Sequence, residues 1–127
     1  MQNGDYGKEL IIDLHECDIS TFTRKSIRNY LKQLCDEIIF MERADFHWWD
    51  YHGMSGKEYR KIPAHLKGIS AVQFIMTSTI AIHTLDDLQK VFINIFSCKD
   101  FDTDAARYFT QKWFKGQLNH WEVVRRK

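Results

Sequence analysis

Alternating apolar and polar positions predict strands in the middle of the chain. Between Gly68 and Cys98, apolar residues alternate with polar or small ones on both sides of a polar Thr77-Ser78 step. A period of two is typical of strands that bury one face. We therefore expect a hairpin that turns at Thr77 and Ser78, followed by another strand over Lys90–Cys98.

The expected register of this hairpin brings reactive groups together. If Thr77 and Ser78 form the loop, Val72 faces His83, and Ser70 lies one diagonal step from that imidazole. Neither loop residue is Gly or Asn, although tight hairpin loops favour residues that tolerate positive φ. Backbone strain at such a turn is a hint of chemistry. We expect a hydroxyl, an imidazole and a strained Thr-Ser peptide in one small region.

Three more strands are expected outside this region. They lie over Lys8–Leu14, Ala44–Asp50 and His120–Arg125. The stretch Tyr51–Lys67 has no regular apolar pattern and is expected to be a loop that leads into the hairpin.

Two segments have the apolar spacing of helices. The first is capped by Thr21 or Thr23 and is expected to end near Phe40. The second is capped by Asp102 or the threonine after it, and Gly116 is a stop signal. Each helix has an apolar stripe that can pack on a sheet.

These elements predict an α+β fold with a single domain over residues 1–127. About six strands and two helices give a two-layer sandwich, in which a mainly antiparallel sheet carries both helices on one face. The other face of the sheet would need covering, which favours a homodimer.

Composition and charge exclude several classes of partner. The net charge of +1 gives no electrostatic reason to expect nucleic acid or membrane binding. No apolar run approaches the ~18 residues of a membrane span, and the N-terminus lacks the features of a signal peptide. The three cysteines are widely spaced and odd in number, so we expect free thiols in a cytoplasmic protein.

Aromatic and imidazole residues cluster at His47, Trp48, Trp49 and His52. A metal site would need further convergent ligands, and the sequence offers no such spacing. We interpret the cluster as strand and pocket wall, and expect no metal.

The central stretch resembles a known enzyme family. The run I-S-A-V-x-F-I-x-T-S-T-I-A-I-H-T-L-x-D, followed by F-S-C, is similar to the bacterial and archaeal S-adenosylmethionine decarboxylases. The resemblance is specific from Gly68 to Cys98 and looser over most of the chain. It implies the same α+β fold and a dimer.

The resemblance implies that the chain cuts itself between Thr77 and Ser78. In this family the matching serine attacks the preceding carbonyl, the chain breaks, and the serine becomes a pyruvoyl group, so that no external cofactor is needed. Ser70 and His83 match the residues that assist this processing.

The resemblance also implies the parts of a decarboxylation site. The pyruvoyl carbonyl forms a Schiff base with the substrate amine and takes up the electron pair that decarboxylation leaves. Cys98 matches the proton donor, and its position beside Lys99 suits a reactive thiol. Asp87 stands where the family has a glutamate that binds ribose.

Several positions depart from the family pattern. Thr77 and Thr79 replace glutamate and histidine on either side of the serine, and Leu85 replaces a tryptophan. Ala64 falls where an aromatic residue stacks on adenine, for which Trp48, Trp49 or Tyr59 is a possible replacement. The chemical residues are kept while the nucleoside pocket is altered.

Three functions follow as alternatives. The first is S-adenosylmethionine decarboxylase, which supplies aminopropyl groups for spermidine. The second is a pyruvoyl-dependent arginine or ornithine decarboxylase, in which Glu58, Asp86 or Asp87 pairs with the distal cation of the substrate. The third is an uncleaved, non-catalytic homologue that acts as a partner subunit.

Overall fold

Six strands form one antiparallel sheet. In the computed structural model, which describes residues 4–127, the strands are β1 (Gly7–His15), β2 (Phe46–Trp49), β3 (Gly68–Ile75), β4 (Ser78–Leu85), β5 (Lys90–Ser97) and β6 (Gln117–Arg126). Their order across the sheet is β2-β3-β4-β5-β1-β6, and each neighbouring pair is antiparallel. The predicted strands are all present.

The predicted helices are present, and three short ones are added, of which the first is a 3-10 turn over Ile19–Thr21. The first predicted helix is α1 (Arg24–Gln33) with a π-helical continuation over Leu34–Ile38, and the second is α3 (Thr103–Phe114). The expected loop contains a single helical turn, α2 (Gly56–Tyr59), and a 3-10 turn over Ala64–Leu66. Within residues 4–127, none of the helices combines the length and apolar character needed to cross a membrane.

Side chains cap both long helices at their N-termini. Thr23, not Thr21, precedes α1, and its hydroxyl accepts the backbone N–H of Ser26 at 3.1 Å. Asp102 precedes α3 and accepts the N–H of Ala105 at 3.0 Å. Each cap satisfies a backbone donor that lacks a partner in the first turn.

The core lies between the two long helices and one face of the sheet. The sheet contributes the fully or almost fully buried Leu10, Ile12, Leu14, Ile80, Ile82, Val91, Ile93 and Ile95. The helices contribute Ile27, Tyr30, Leu31, Leu34, Cys35, Ala106 and Phe114. This is the predicted arrangement of an α+β sandwich with helices on one face.

The opposite side of the sheet, here called the open face, is half-exposed. It carries Ile11, Val72, Phe92 and Phe96, which alternate along their strands with the buried core residues. Phe74 on the same face is 39% exposed. An apolar sheet face of this kind is typical of a surface that packs against another layer.

The predicted turn of the central hairpin is wrong by one residue. Met76 and Thr77 form the turn, and Ser78 is the first residue of β4, opposite Ile75. The register therefore places Ser70 directly opposite His83, which was expected to face Val72. The strained residue is Met76, whose φ of 65° is unusual for a side chain of its size.

Candidate active site

Thr77, Ser78 and Cys98 form a cluster at the turn end of the sheet, here called the turn cluster. Thr79 pairs with Phe96 in the antiparallel β4–β5 ladder. Continuing the same register past the end of the ladder brings Thr77 and Ser78 beside Cys98. The backbone N–H of Cys98 donates to Ser78 Oγ at 3.1 Å. Ser78 Oγ donates to Cys98 Sγ at 3.7 Å, and Thr77 Oγ1 lies 3.6 Å from the same sulfur.

The surroundings of Cys98 favour its thiolate. Hydrogen bonds from the hydroxyls of Thr77 and Ser78, with a smaller one from Tyr6, hold the pKa of this thiol below its ordinary value. Tyr6 is held there by its ring, which stacks on Phe96 at 6.3 Å between centroids. The predicted influence of Lys99 is not seen, because its ammonium instead donates to the carbonyl of Phe40 at 2.9 Å.

The other two cysteines have the opposite character. Burial raises the pKa of Cys17 to about 11 and that of Cys35 to about 12. All three cysteines are free. Cys98 is therefore the cysteine whose surroundings favour the thiolate form.

A small cavity lies beside Ser78. It has a volume of about 150 Å³ and is lined by Met41, Glu42, Ile75, Met76, Ser78, Ser97, Cys98 and Lys99. Ser78 itself is only 2% exposed. Ser78 is therefore almost inaccessible to solvent, although it lines this cavity.

Ser70 and His83 form a second cluster, here called the Ser–His pair. Ser70 Oγ and His83 Nδ1 lie 2.7 Å apart on the open face. The pair faces a cavity of about 320 Å³, which is lined by Trp49, Tyr51, His65, Leu66, Gly68, Ser70, His83, Thr84 and Leu85. The sequence predicted the proximity of this hydroxyl and imidazole, and the structure makes it a direct hydrogen bond.

The two clusters are separate within one chain. Ser78 and His83 are five positions apart on β4, which corresponds to about 16 Å along a strand. An odd spacing also points their side chains to opposite faces of the sheet. The expectation that hydroxyl, imidazole and Thr-Ser peptide share one small region is therefore wrong for a single chain.

Asp87 is engaged by a residue that the sequence analysis missed. Lys67 Nζ lies 2.7 Å from Asp87 Oδ2, and the side chain of Lys67 is only 8% exposed. The two residues meet because the backbone N–H of Asp86 donates to the carbonyl of Lys67 at 2.9 Å, which extends the β3–β4 ladder by one step. Asp87 thus lies at the Ser–His end of the sheet.

Asp86 has one satisfied and one unsatisfied carboxylate oxygen. The hydroxyl of Tyr59 donates to its Oδ2 at 2.5 Å. Its Oδ1 is buried and has no hydrogen-bond partner among the described residues. Burial, and next the hydrogen bond to Asp86, raise the pKa of Tyr59.

The aromatic and imidazole cluster of β2 is divided between the two sides of the sheet. His47 and Trp49 lie on the open face, since Trp49 pairs with Ser70 and His47 with Val72. Trp48 points to the other side, where the guanidinium of Arg24 lies 4.1 Å from the centroid of its ring. Among residues 4–127, no three His, Cys, Asp or Glu side chains converge as metal ligands would.

Comparison with known proteins identifies the family. The family model described as S-adenosylmethionine decarboxylase matches residues 8–127. The chain belongs to the S-adenosylmethionine decarboxylase family. The resemblance seen in the Gly68–Cys98 stretch is thereby confirmed.

One relative and one solved structure are similar to this chain. The S-adenosylmethionine decarboxylase proenzyme of Moorella thermoacetica is 32% identical over 76 residues, which cover 56% of this chain and 61% of that protein. The crystal structure of the adenosylmethionine decarboxylase from Aquifex aeolicus superposes with a TM-score of 0.73 at 17% identity, and covers 96% of this chain and 91% of that one. The second likeness confirms the predicted α+β fold.

Proposed function

We propose that this protein is a self-processing, pyruvoyl-dependent decarboxylase of S-adenosylmethionine that supplies aminopropyl groups for spermidine synthesis. The observation that carries the proposal is the turn cluster, in which the Thr77-Ser78 peptide lies against Cys98. Family membership supports the same reaction. The free thiols suit the reducing cytoplasm.

The first reaction is cleavage of the chain at Thr77-Ser78. Ser78 Oγ attacks the carbonyl carbon of Thr77, the C–N bond of that peptide breaks, and an ester replaces it. Loss of the α-proton of Ser78 then breaks the ester C–O bond, which frees the carboxylate of Thr77 and leaves dehydroalanine at position 78. Water releases the nitrogen as ammonia, and a pyruvoyl group remains.

The surroundings of Ser78 fit both processing and a pyruvoyl group. Cys98 Sγ lies where it can take the hydroxyl proton, and the N–H of Cys98 points at the reacting residue. The cavity of about 150 Å³ leaves space beside position 78. Once Thr77 is a chain end, the turn can move away and open position 78, which is buried before cleavage.

After processing, Cys98 serves as the proton donor for decarboxylation. The pyruvoyl group supplies the electron sink that decarboxylation beside an amine requires. Cys98 Sγ holds the proton that must return to the substrate α-carbon. Its hydrogen bonds to Thr77 and Ser78 are rearranged by cleavage, so the thiol is released for this second role.

We propose that the active protein is a homodimer with sites shared between copies. The Ser–His pair and Asp87 lie at one end of the sheet and the turn cluster at the other, so a single chain cannot bring them together. Two copies that pack their open faces in opposite directions would place one copy's Ser–His pair against the other's turn cluster. The apolar residues of the open face support such packing.

In such a site Asp87 would bind the ribose hydroxyls of the substrate. Its carboxylate is half-exposed and held by Lys67, which orients it without covering it. Lys67 would then carry a positive charge close to the nucleoside.

A basic amino acid is the second candidate substrate, and Asp86 is the observation that favours it. The free Oδ1 of this carboxylate could accept a hydrogen bond from a guanidinium or ammonium group. Its cavity of about 270 Å³ is lined by Phe22, Asp50, Tyr51, His52, Tyr59, Gly68, Ile69 and Asp86. Arginine or ornithine would suit this combination of carboxylates and aromatic rings.

Intact mass under denaturing conditions tests the proposal. We expect two fragments, residues 1–77 and 78–127, with the second blocked to Edman degradation, while Ser78→Ala stays whole. Release of carbon dioxide from S-adenosylmethionine, arginine and ornithine then separates the two substrates. A single full-length mass that persists on long incubation would reject both enzymatic candidates and leave a non-catalytic homologue.

A further inference from the structure

Tyr6 is held over the part of β5 that leads to Cys98. Its ring stacks on Phe96, with centroids 6.3 Å apart and planes at 19°. Its backbone N–H donates to the carbonyl of Arg126 at 2.7 Å, next to the Gly7–Arg126 pair that begins the β1–β6 ladder. Ring and backbone are therefore both fixed, and the phenol is held near the turn cluster.

A close approach of Gly7 brings Tyr6 to the thiol. A Cβ at Gly7 would lie 2.1 Å from the carbonyl oxygen of Ser97 and 2.9 Å from the Cα of Cys98. A side chain would not fit where the start of β1 passes the end of β5, so this position needs glycine. The neighbouring Tyr6 then reaches Cys98, and its hydroxyl hydrogen-bonds to the thiol.

The charged groups on the elements around Cys98 are engaged with other partners. Two ion pairs hold four of them: Lys8 with Asp100 at 2.6 Å, and Arg126 with Glu9 at 2.7 Å. The ammonium of Lys99 donates to a backbone carbonyl, and Glu42 lines the cavity beside Ser78. The side chains that lower the pKa of the thiol instead carry hydroxyls, and they are Thr77, Ser78 and, more weakly, Tyr6.

Cleavage changes which of these hydroxyls stays with the thiol. In the processing reaction proposed above, Ser78 Oγ leaves with Thr77 as an oxygen of its new carboxylate, and Thr77 becomes a chain end. The contacts that hold Tyr6 are made with Phe96 and Arg126, outside the turn that is cut. Of the three hydroxyls, that of Tyr6 is therefore the one whose place beside the sulfur does not depend on the intact turn.

We propose that Tyr6 is a positioning residue of the processed enzyme, whose hydroxyl orients the Cys98 thiol and stabilises the thiolate left when its proton moves to the substrate. This inference rests on the function proposed above. In that step the S–H bond breaks, a C–H bond forms at the substrate α-carbon, and the electron pair of the S–H bond stays on sulfur. Water returns a proton to the sulfur before the next turnover. A hydrogen bond from Tyr6 to the anion makes the thiol a stronger acid and the transfer faster.

Tyr6→Phe tests the inference, because it removes the hydroxyl and keeps a ring to stack on Phe96. Tyr6 is 52% exposed, so the change leaves no buried cavity. In the cleaved protein, iodoacetamide labelling of Cys98 should shift to higher pH, since its thiolate loses a donor. The kcat for decarboxylation of S-adenosylmethionine should fall about three- to tenfold, as expected for the loss of one hydrogen bond.

Tyr108→Phe is the matched control. This tyrosine of α3 is 67% exposed, and its ring lies 5.9 Å from the ammonium of Lys112. Removal of its hydroxyl should leave both the labelling profile and kcat at their wild-type values. Intact mass of each sample shows that the proteins compared are the cleaved ones.

The possible outcomes are distinct. A labelling profile of Tyr6→Phe equal to that of the wild type would overturn the inference, as would a shifted profile with an unchanged kcat. A Tyr6→Phe chain that stays uncleaved would also overturn it, because Tyr6 would then act in processing. If the wild-type chain does not cleave, the proposed function fails and the inference with it. That result comes from the wild type alone, and so differs from an active wild type beside an unaffected Tyr6→Phe.

Discussion

Ser78 and His83 lie on one strand but point to opposite faces of the sheet. About 16 Å of strand separates them, and the hydrogen bond of each is made within its own cluster, Ser78 with Cys98 and His83 with Ser70. If both residues take part in one reaction, they do so from different copies of the chain. This relationship can be tested directly.

Two variants that are inactive alone should regain decarboxylase activity when they are combined in a mixed dimer. Ser78→Ala supplies an intact His83, and His83→Ala supplies an intact Ser78, so a mixed dimer contains one complete site. Co-expression of the two chains should restore up to about a quarter of wild-type sites, as random pairing of symmetric dimers allows. Decarboxylation by the co-purified mixture, with each variant alone as control, measures this. Mixtures no more active than the single variants would contradict the shared site.

In the uncleaved chain, Cys98 should react at lower pH than an ordinary cysteine. Its thiol pKa is depressed chiefly by hydrogen bonds from Thr77 and Ser78, so the thiolate is already present below the usual range and alkylation begins there. Cys17 and Cys35, with thiol pKa values raised by burial, should stay unmodified in the folded protein. The rate of iodoacetamide labelling against pH in the uncleaved His83→Ala chain, located by peptide mass, gives both results.

Loss of the Thr77 hydroxyl should shift the pH profile of Cys98 labelling to higher pH. Thr77→Val removes a hydroxyl that stabilises the thiolate, so the pKa of Cys98 rises and labelling shifts to higher pH. Thr79→Val, on the neighbouring strand position, is the control and should leave the profile in place. An unshifted profile in Thr77→Val would mean that the hydroxyl does not stabilise the thiolate.

Removing Asp87 from the Lys67–Asp87 ion pair should lower the free energy of unfolding more than removing Lys67. Asp87→Asn leaves a nearly buried ammonium without its carboxylate and should cost about 1–3 kcal/mol. Lys67→Met should cost less, since the carboxylate of Asp87 is 49% exposed and can be hydrated. Urea unfolding of both variants checks the order. Equal losses, or a larger loss for Lys67→Met, would show that packing around the lysine stem dominates.

Gly68 should not tolerate a side chain. A Cβ at this position would lie 1.6 Å from the carbonyl oxygen of Thr84, so β3 and β4 would have to separate at the Ser–His end. Gly68→Ala should therefore destabilise the protein by about 1–3 kcal/mol or more. Gly56→Ala is the control, because the nearest atom to its Cβ is the end of Arg60 at 3.5 Å. Thermal unfolding of the two variants should differ clearly.

Much of the fold could be predicted from the sequence because local rules decide it. The alternation in β3 and β4 identified both strands and their buried faces. The cap candidates, Thr21 or Thr23 and Asp102 or Thr103, located each helix start to within two residues. The register of the hairpin could not be predicted in this way. Sliding one strand by two residues keeps each side chain on its face. The alternating pattern is therefore equally compatible with a turn at Thr77-Ser78 and with the observed turn at Met76-Thr77.

The sequence suggested which residues belong to the candidate site, but not how they are arranged in space. The odd spacing of Ser78 and His83 along one strand is itself a sequence signal that their side chains point to opposite faces. The Lys67–Asp87 pair had no sequence signal, because the two residues meet only where the ladder between β3 and β4 ends. Alternation separates Trp48 from Trp49, but only the pairing of β2 with β3 shows which one faces the Ser–His pair.

The turn at Met76 and Thr77 makes this fold a candidate for circular permutation. The ion pair between Asp5 and Lys127, at 2.6 Å, brings these two positions together beside the β1–β6 ladder. A short linker could join positions 5 and 127, while new termini open at residues 77 and 78. The β1–β5, β1–β6 and β3–β4 ladders would still tie the two halves together. Such a permutant would begin with an unmodified Ser78, and so would separate the act of cutting the chain from the act of making its reactive group.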